Sequence, residues 1–289
     1  MFNPHALPVN EMIDQLIYSA LEEDQGNGDH TSLSTIDPDK QGIGRVKIKE
    51  NGILSGTDIA DLVVRQVDPS LIIKIFLSNS AVVKQGDLAI QISGNVRSLL
   101  RAERIVLNFM QRMSGIATMT RTFVDAIEGT KASILDTRKT TPNFRYFEKR
   151  AVVDGGGKNH RFGLYDMIMI KDNHIDESGG ITKALHRAAE YQQKMKLNLK
   201  VEIETRNLTE VKEVLECKLA DRIMLDNFTP EMLKEAIELI DGRIETEASG
   251  GITLGTVRSY AVSGVDYISV GALTHSYKSL DISMKISDN

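Results

Sequence analysis

Cations and glycines are concentrated in one part of an otherwise acidic chain. The centre of this region is formed by Asp136-Thr137-Arg138-Lys139 and by Gly155-Gly156-Gly157-Lys158-Asn159-His160-Arg161. Residues 138 to 171 include eight Lys or Arg against three Asp or Glu, whereas the whole chain has a formal net charge of −5. A non-specific nucleic-acid binder spreads its positive charge over a face or a whole domain. The concentrated charge therefore predicts a site for a compact polyanion, and no binding of nucleic acid.

A second group of candidate residues is acidic. Glu202 and Glu204 lie two apart in a strand-like run, so their side chains point to the same face, and Asp226 ends the next run. Such carboxylates could hold ribose hydroxyls or Mg²⁺, which prefers hard oxygen ligands and shares its shell with substrate phosphates. The alternative is that they neutralise Lys139 and Lys171 in structural ion pairs.

Glycines end the last two strand-like runs. Gly250 and Gly251, and Gly271 in the next unit, would let backbone N–H groups approach phosphate oxygens. Each position alone is typical of a tight turn, but two such loops in consecutive units favour a phosphate site. For the glycines at residues 155–157, a ligand-binding loop and a flexible hinge without a ligand are equally compatible with the sequence.

The histidines do not indicate zinc. His160 beside Arg161, and His174 three residues after Lys171, lack the spacing of a zinc site. His275, just beyond the Gly271 loop, has a position typical of a structural histidine.

The second half of the chain repeats a strand-and-helix pattern. Strand-like runs end in polar residues or glycine at residues 134–136, 167–171, 201–204, 222–226, 244–249 and 267–271. Helical patterns separate them, such as residues 181–194, 208–215, 230–240 and 255–263. A complete eight-stranded barrel takes about 250 residues, and only some 160 are available in residues 116–275. We therefore predict an incomplete parallel α/β barrel of about six strands, with an open doubly wound sheet as the alternative.

The first third of the chain predicts a smaller α/β unit. A helix over residues 11–22 precedes strand-like runs at 44–49, 71–77 and 88–92, and a long helical pattern covers residues 98–128. One face of that helix is apolar. A neighbouring stripe carries Arg101, Arg104, Asn108 and Gln111, which fits a solvated face but is unusual in having no acids.

Composition limits the class of protein. With 289 residues and 41% hydrophobic content, the chain can bury the core of one large domain or two ordinary ones. The longest apolar runs, such as Met167-Ile168-Met169-Ile170, are too short for a membrane span. Residues 1–16 show no secretory signal. Since the single cysteine, Cys217, excludes an intrachain disulfide, we predict a cytoplasmic location.

Taken together, the chain resembles the quinolinate phosphoribosyltransferases, also called carboxylating nicotinate-nucleotide pyrophosphorylases. The resemblance covers nearly the whole chain. Its motifs in the first half are Glu23-Asp24, Gly28-Asp29-His30-Thr31-Ser32, Glu103-Arg104, Leu107-Asn108, Gln111-Arg112 and Ser114-Gly115-Ile116-Ala117-Thr118. Those that follow are Asp136-Thr137-Arg138-Lys139-Thr140-Thr141-Pro142, Gly155-Gly156-Gly157, Asn159-His160-Arg161, Lys171-Asp172-Asn173-His174, Val201-Glu202-Ile203-Glu204, Leu225-Asp226-Asn227-Phe228, Ser249-Gly250-Gly251 and Gly271-Ala272-Leu273-Thr274-His275-Ser276.

The resemblance implies an architecture and an assembly. An N-terminal α/β sandwich domain over residues 1–114 would be joined by the C-terminal tail 276–289, and residues 115–275 would form the catalytic barrel. The family forms a homodimer, in which Arg104 of each subunit would enter the partner's site.

The resemblance also implies a reaction. Quinolinate and phosphoribosyl pyrophosphate would give nicotinate mononucleotide, pyrophosphate and CO₂ in de novo NAD biosynthesis, with Mg²⁺ as cofactor. By similarity, Lys139, Lys171, Glu204 and Asp226 would be catalytic, and the two acids would face the ribose and Mg²⁺. The cations Arg104, Arg138, Lys139, His160, Arg161 and Lys171 would hold the two quinolinate carboxylates. The full substrate-binding set adds Thr137, Glu204, Asp226, Ser249, Gly250, Gly251, Val270, Gly271, Ala272 and His275.

Two other functions are compatible with the pattern. A paralogue of the same fold could use another anionic aromatic acid, as in the related protein found with molybdenum transport systems. From a different class, the chain could be a non-catalytic sensor of a phosphate ligand, because fold alone does not determine function. The full set of cations favours quinolinate, and the acids at the ribose position argue against a sensor.

Overall fold

The computed structural model describes residues 9–288. Residues 1–8, which belong to the segment inspected for a secretory signal, and Asn289, the last residue of the predicted tail, lie outside the described residues. The helices are α1 (Val9–Gln25), α2 (His30–Thr35), α3 (Thr57–Val67), α4 (Val96–Ala126), α5 (Arg145–Asp154), α6 (Asp172–Ser178), α7 (Ile181–Met195), α8 (Leu208–Cys217), α9 (Pro230–Ile240), α10 (Val257–Ala261) and α11 (Ala272–His275). The strands are β1 (Gln41–Ile48), β2 (Gly52–Ile53), β3 (Ile72–Ile75), β4 (Val82–Val83), β5 (Leu88–Asn95), β6 (Ser133–Leu135), β7 (Ile168–Ile170), β8 (Val201–Thr205), β9 (Arg222–Asp226), β10 (Glu245–Ser249), β11 (Tyr267–Ser269) and β12 (Ile282–Ser287).

The described chain divides into two compact units. The N-terminal unit contains residues 9–119, 146–155 and 277–288, and the C-terminal unit contains residues 120–145 and 156–276. Helix α4 therefore begins in the first unit and ends in the second, whereas α5 and β12 belong almost wholly to the first.

A four-stranded antiparallel sheet forms the centre of the N-terminal unit. Its strand order is β12-β1-β5-β3, so the end of the chain supplies one edge strand. Val46 of β1 lies opposite Met284 of β12, and both side chains are buried. Helix α3 buries one apolar face, including Ile59 and Val63, as its helical spacing predicts. The predicted α/β unit at the start of the chain is confirmed.

The C-terminal unit contains a six-stranded parallel sheet in the order β6-β11-β10-β9-β8-β7. From β7 to β11 each new strand joins the same side, and β11 then pairs with β6, the first strand. A doubly wound sheet would reverse direction midway. No ladder joins β6 to β7 among the described residues, so this is the predicted incomplete barrel, with its gap between those two strands.

Charged side chains lie inside this barrel. All five residues of β8 are buried, including Glu202 and Glu204, and so is Glu247 of β10. Strands of parallel barrels are covered on both faces, so alternate residues point either to the helices or to the interior. The sequence of β8 therefore sends its apolar residues Val201 and Ile203 to one face and its two acids to the other.

Side-chain caps set the start of the helices that follow the strands. The Asn207 side chain accepts the N–H of Glu210 at the start of α8, and Thr229 caps α9 immediately before Pro230. Such caps hold short loops at the carboxyl ends of the strands, where the site residues lie.

Among the described residues, every helix is too short or too polar to cross a bilayer.

Candidate active site

A cavity of about 720 Å³ opens at the carboxyl ends of the barrel strands. All predicted site residues except Arg104 and Val270 line it, namely Thr137, Arg138, Lys139, His160, Arg161, Lys171, Glu204, Asp226, Ser249, Gly250, Gly251, Gly271, Ala272 and His275. The cations follow β6 and β7, the strands on either side of the gap, or precede β7. The acids end β8 and β9, and the glycines follow β10 and β11.

Two predicted residues lie elsewhere. The Val270 side chain is buried, and its backbone N–H donates to the carbonyl of Leu135 at 3.0 Å. Val270 therefore belongs to the barrel core. Arg104 is an exposed residue of α4 in the N-terminal unit and is not among the residues that line the cavity.

Lys171 and Glu204 form an ion pair in the cavity wall. Lys171 Nζ lies 2.5 Å from Glu204 Oε1, and the other oxygen accepts the N–H of Asp172 at 3.1 Å. The backbone N–H of Lys171 donates to Nδ1 of His174 at 2.9 Å, which explains that histidine structurally. Because both oxygens have a donor and the residue is only 7% exposed, the Glu204 carboxylate is held in one orientation at the cavity surface.

Asp226 lies near this pair. Burial raises the pKa of Asp226, and the negative charge of Glu204 raises it further, while Lys171 opposes the rise. The side chain of Asn227 donates to Asp226 Oδ2 at 2.6 Å. Two carboxylates that repel each other at a cavity wall favour a cation or hydrogen-bond donors between them. The hard oxygen donors fit the Mg²⁺ ion that the sequence predicts.

Two threonine hydroxyls hold the backbone of the Thr137–Lys139 segment. Thr137 Oγ1 accepts the N–H of Lys139 at 3.0 Å, and Thr274 Oγ1 donates to the Lys139 carbonyl at 2.8 Å. At Gly271, an added Cβ would lie 3.1 Å from Lys139 Cδ and 3.2 Å from His275 Nε2. Glycine thus gives both side chains room beside the loop.

The loop after β10 requires glycine for two reasons. Gly250 has a φ of +100°, and an added Cβ would lie 2.2 Å from Oδ1 and 2.8 Å from the backbone nitrogen of Asn227. A side chain would therefore be strained and would clash. The absence of one lets the loop approach the end of β9, beside Asp226.

A buried group of charged residues lies at the base of the cavity. Nε2 of His160 is 2.9 Å from Glu202 Oε2 and 3.3 Å from Glu247 Oε2. Arg222 NH1 lies 3.1 Å from Glu247 Oε2, and its guanidinium stacks on the Tyr267 ring at 4.1 Å. The ligand atoms of His160, Glu202 and Glu247 all lie within 4.8 Å of one another, so these residues could hold a metal ion.

The protonation of His160 responds to opposing influences. Burial lowers the pKa of the ring, but hydrogen bonds and charge from Glu202 and Glu247 outweigh burial and raise the pKa to about 9. The N–H of Arg161, which points to Nδ1 at 2.6 Å, favours the ring without a proton there. The sequence placed Glu202 with Glu204 and Asp226 as a possible ligand of ribose or Mg²⁺, whereas its carboxylate is fully buried against His160. No role was predicted for Glu247.

An α/β barrel with glycine loops, carboxylates and cations at one mouth belongs to the class of barrel enzymes, which frequently bind phosphate at the loops after the last two strands. Known proteins identify the family. Residues 29–114 match the model of the quinolinate phosphoribosyl transferase N-terminal domain, and residues 116–285 match that of the C-terminal domain.

Individual relatives agree with this match. A rice (Oryza sativa subsp. japonica) protein named nicotinate-nucleotide pyrophosphorylase [carboxylating], chloroplastic, is 49% identical, over 98% of this chain and 80% of the relative. The tobacco (Nicotiana tabacum) quinolinate phosphoribosyltransferase [decarboxylating] 2a, mitochondrial, is also 49% identical, over 92% of this chain and 80% of the relative. The structure of the Francisella tularensis nicotinate-nucleotide pyrophosphorylase superposes with a TM-score of 0.91 at 38% identity, covering 99% of this chain and 100% of that one.

The chain belongs to the quinolinate phosphoribosyltransferase family. This confirms the predicted family and fold, and with them decarboxylating phosphoribosyl transfer to quinolinate as the activity class, a pentosyltransferase reaction of de novo NAD biosynthesis.

The predicted cytoplasmic location is wrong by the same comparison. The rice relative is named as chloroplastic and the tobacco relative as mitochondrial. The prediction depended on a lone cysteine and on the absence of a secretory pattern. Neither property distinguishes one reducing compartment from another.

Proposed function

We propose that the protein joins quinolinate to phosphoribosyl pyrophosphate in the barrel cavity and releases pyrophosphate and CO₂, giving nicotinate mononucleotide. The observation that carries this proposal is the division of the cavity wall. Cations flank the gap between β6 and β7, carboxylates end β8 and β9, and glycine loops follow β10 and β11. That order fits a ligand with an anionic ring at one end, a sugar in the middle and phosphates at the other.

The cations would hold the two quinolinate carboxylates. Arg138 and Arg161 are close enough that the charge of Arg138 lowers the pKa of Arg161, after burial, which lowers it more. Two guanidinium groups that repel each other are stabilised by an anion between them, and each can bind a carboxylate through two parallel hydrogen bonds. Lys139 and Lys171 would add point charges from the neighbouring loops.

The acids would act on the ribose. As pyrophosphate leaves, positive charge develops on the sugar, and Glu204 and Asp226 would stabilise it as preorganised negative groups. The same two carboxylates, directly or through water, would hold Mg²⁺. Bound Mg²⁺ would neutralise charge on the pyrophosphate as it departs.

The loops after β10 and β11 would bind phosphates. Ser249 is followed by Gly250 and Gly251, which carry no side chain of their own over the backbone, and Gly271 precedes the short helix α11, which begins at Ala272. Val270 would only support this loop, since its side chain is in the core and its N–H donates to the carbonyl of Leu135. His275 would lie at the edge of this phosphate subsite.

Decarboxylation needs no further catalytic residue. Once the ring nitrogen of quinolinate bonds to the ribose carbon, the pyridinium can accept the electron pair left when the carbon–carbon bond to the 2-carboxylate breaks. CO₂ then departs, and a proton replaces it on the ring carbon. Positioning and electrostatics are the contributions expected from the protein.

The proposed assembly is a homodimer. The resemblance places Arg104 of the partner subunit in each site, as a further cation for quinolinate. Its exposure on α4 supports this, because an arginine without burial is free to contact a second subunit.

A turnover assay tests the proposed function. Purified protein with Mg²⁺ and phosphoribosyl pyrophosphate should convert quinolinate labelled in its 2-carboxylate to nicotinate mononucleotide and release labelled CO₂. Nicotinate should be a very poor substrate, since it leaves part of the cation cluster unpaired. Equal or better use of nicotinate would overturn the assignment, and binding of both ligands without turnover would favour a sensor.

A further inference from the structure

Glu202 and Glu247 have no role in the reaction proposed above, yet both are fully buried and face the cavity residue His160. We infer that Glu202, Glu247 and His160 form a positioning group that holds Arg161 in its binding orientation, and that His160 acts on quinolinate only through Arg161. This inference rests on the proposed function, because it concerns how that site binds quinolinate.

The first argument is that both ring nitrogens of His160 already have protein partners. Nε2 faces the two carboxylates, at 2.9 Å and 3.3 Å, and Nδ1 faces the backbone N–H of Arg161 at 2.6 Å. An imidazole has no third polar atom to offer to a substrate carboxylate. The ring therefore connects the base of the barrel to the main chain of the next residue.

The second argument is that Glu247, one of the two carboxylates, is itself held. Arg222 bridges Glu247 and Glu245, each at 3.1 Å, and stacks on the Tyr267 ring. A buried carboxylate with such partners cannot rotate freely, so the ring that it faces is confined as well. The positive charge of Arg222 beside Glu247 also favours this role over metal binding, since the group already contains a cation.

The third argument is that the main chain before Arg161 is attached to the barrel. The N–H of His160 donates to the fully buried carboxylate of Asp136 at 2.8 Å. Two further backbone bonds connect Lys158 to the β6 segment, one to the carbonyl of Ile134 and one from the N–H of Asp136. The segment that carries His160 is thus aligned with the first barrel strand.

The fourth argument concerns the chain after Arg161. The carboxylate of Asp166 accepts the N–H groups of Phe162 and Gly163, at 2.6 Å and 2.9 Å. The Arg161 guanidinium itself donates to the Met167 carbonyl at 3.2 Å. Arg161 therefore lies between two anchored segments, as a planar fork must if it is to meet both oxygens of a carboxylate.

A double-mutant cycle tests the inference. His160→Gln keeps an amide N–H for the carboxylates but removes the acceptor for the Arg161 N–H. On its own it should raise the KM for quinolinate about tenfold, the loss expected for one misplaced charged hydrogen bond, with little change in the KM for phosphoribosyl pyrophosphate. Added to Arg161→Ala, which has no guanidinium left to position, it should cause no further rise.

A second variant changes one of the two carboxylates in the same group. Glu202→Gln removes one charge behind the ring and should give the same pattern in both backgrounds. Glu235→Gln, at an exposed position on α9, is the control for the loss of a carboxylate and should leave the KM for quinolinate unchanged. Thermal unfolding of each variant shows whether the fold is retained.

The outcomes are distinct. If His160→Gln raises the KM by the same factor with and without the Arg161 side chain, His160 binds quinolinate itself and the inference is wrong. Equal effects of Glu235→Gln and Glu202→Gln would also contradict it. If the wild-type protein does not turn over quinolinate, the proposed function fails first and the inference fails with it.

Discussion

At the scale of single residues, the site depends on opposite charges held close together. Lys171 and Glu204 are paired at 2.5 Å, while Glu204 also helps to raise the pKa of Asp226. Neutralising any one of these charges changes the balance around the others. The proposed reaction depends on these charges, because positive charge develops on the ribose only as the transition state forms.

Glu204→Gln should therefore lower kcat by about 10²- to 10³-fold, a typical loss when one preorganised electrostatic group is removed. The KM values should change much less, because the amide retains the shape of the carboxylate. Steady-state kinetics with both substrates varied gives the two effects separately. Glu190→Gln, at an exposed position on α7, is the control. A change confined to KM would make Glu204 a binding residue.

At the scale of elements, the long helix α4 organises the N-terminal unit. Arg112 of α4 binds the fully buried Glu148 of α5, with Nε at 3.1 Å from Oε1. Three residues later, Gly115 lies directly against the segment that leads to β12. An added Cβ at Gly115 would be 2.2 Å from the Lys278 carbonyl oxygen and 2.9 Å from Ser279 Cα. These neighbours are backbone atoms, which cannot move aside as a flexible side chain would.

Gly115→Ala should accordingly destabilise the protein by about 2–4 kcal/mol, although alanine is the better helix former. The reason is that the chain segment before β12 must move away from the helix. Urea unfolding measures the change in free energy. The matched control is Gly255→Ala, where the added Cβ would meet only Thr253 Oγ1 at 3.9 Å. An unchanged midpoint for Gly115→Ala would show that the segment adapts without loss.

At the scale of the whole molecule, the open question is whether one chain makes a complete site. The cavity in the C-terminal unit contains every predicted cation except Arg104. We propose that the Arg104 missing from each site comes from the partner subunit. The proposal concerns assembly, so a mixture of subunits tests it better than either subunit alone.

Complementation between inactive variants provides that test. Arg104→Ala and Lys139→Ala should each be nearly inactive as homodimers. A mixed dimer would contain one site with Arg104 from one chain and Lys139 from the other, and that site should work. Co-refolding the two variants should restore activity in proportion to the heterodimer population. If Arg104 acted within its own subunit, every site in the mixture would lack one residue and no activity would return.

Much of this protein follows from local pattern. The six strand positions, the order of cations, acids and glycines along them, and the apolar face of α4 are all readable from the sequence. Alternation and helical spacing depend only on neighbouring residues, and polar residues at strand ends have a recognisable place in parallel barrels. For the same reason, fourteen of the sixteen predicted substrate-binding residues line a single cavity.

Only the tertiary structure decided which distant residues meet. Nothing near Glu202, His160 or Glu247 in the sequence indicates that they converge, and no local pattern pairs β12 with β1 or leaves the barrel open between β6 and β7. Val270 likewise lies near the end of the last predicted strand, at residues 267–271, yet its side chain is in the core. Such contacts depend on the packing of whole elements. The sequence determined the chemistry available at each strand end, and the fold determined which of those groups act on one another.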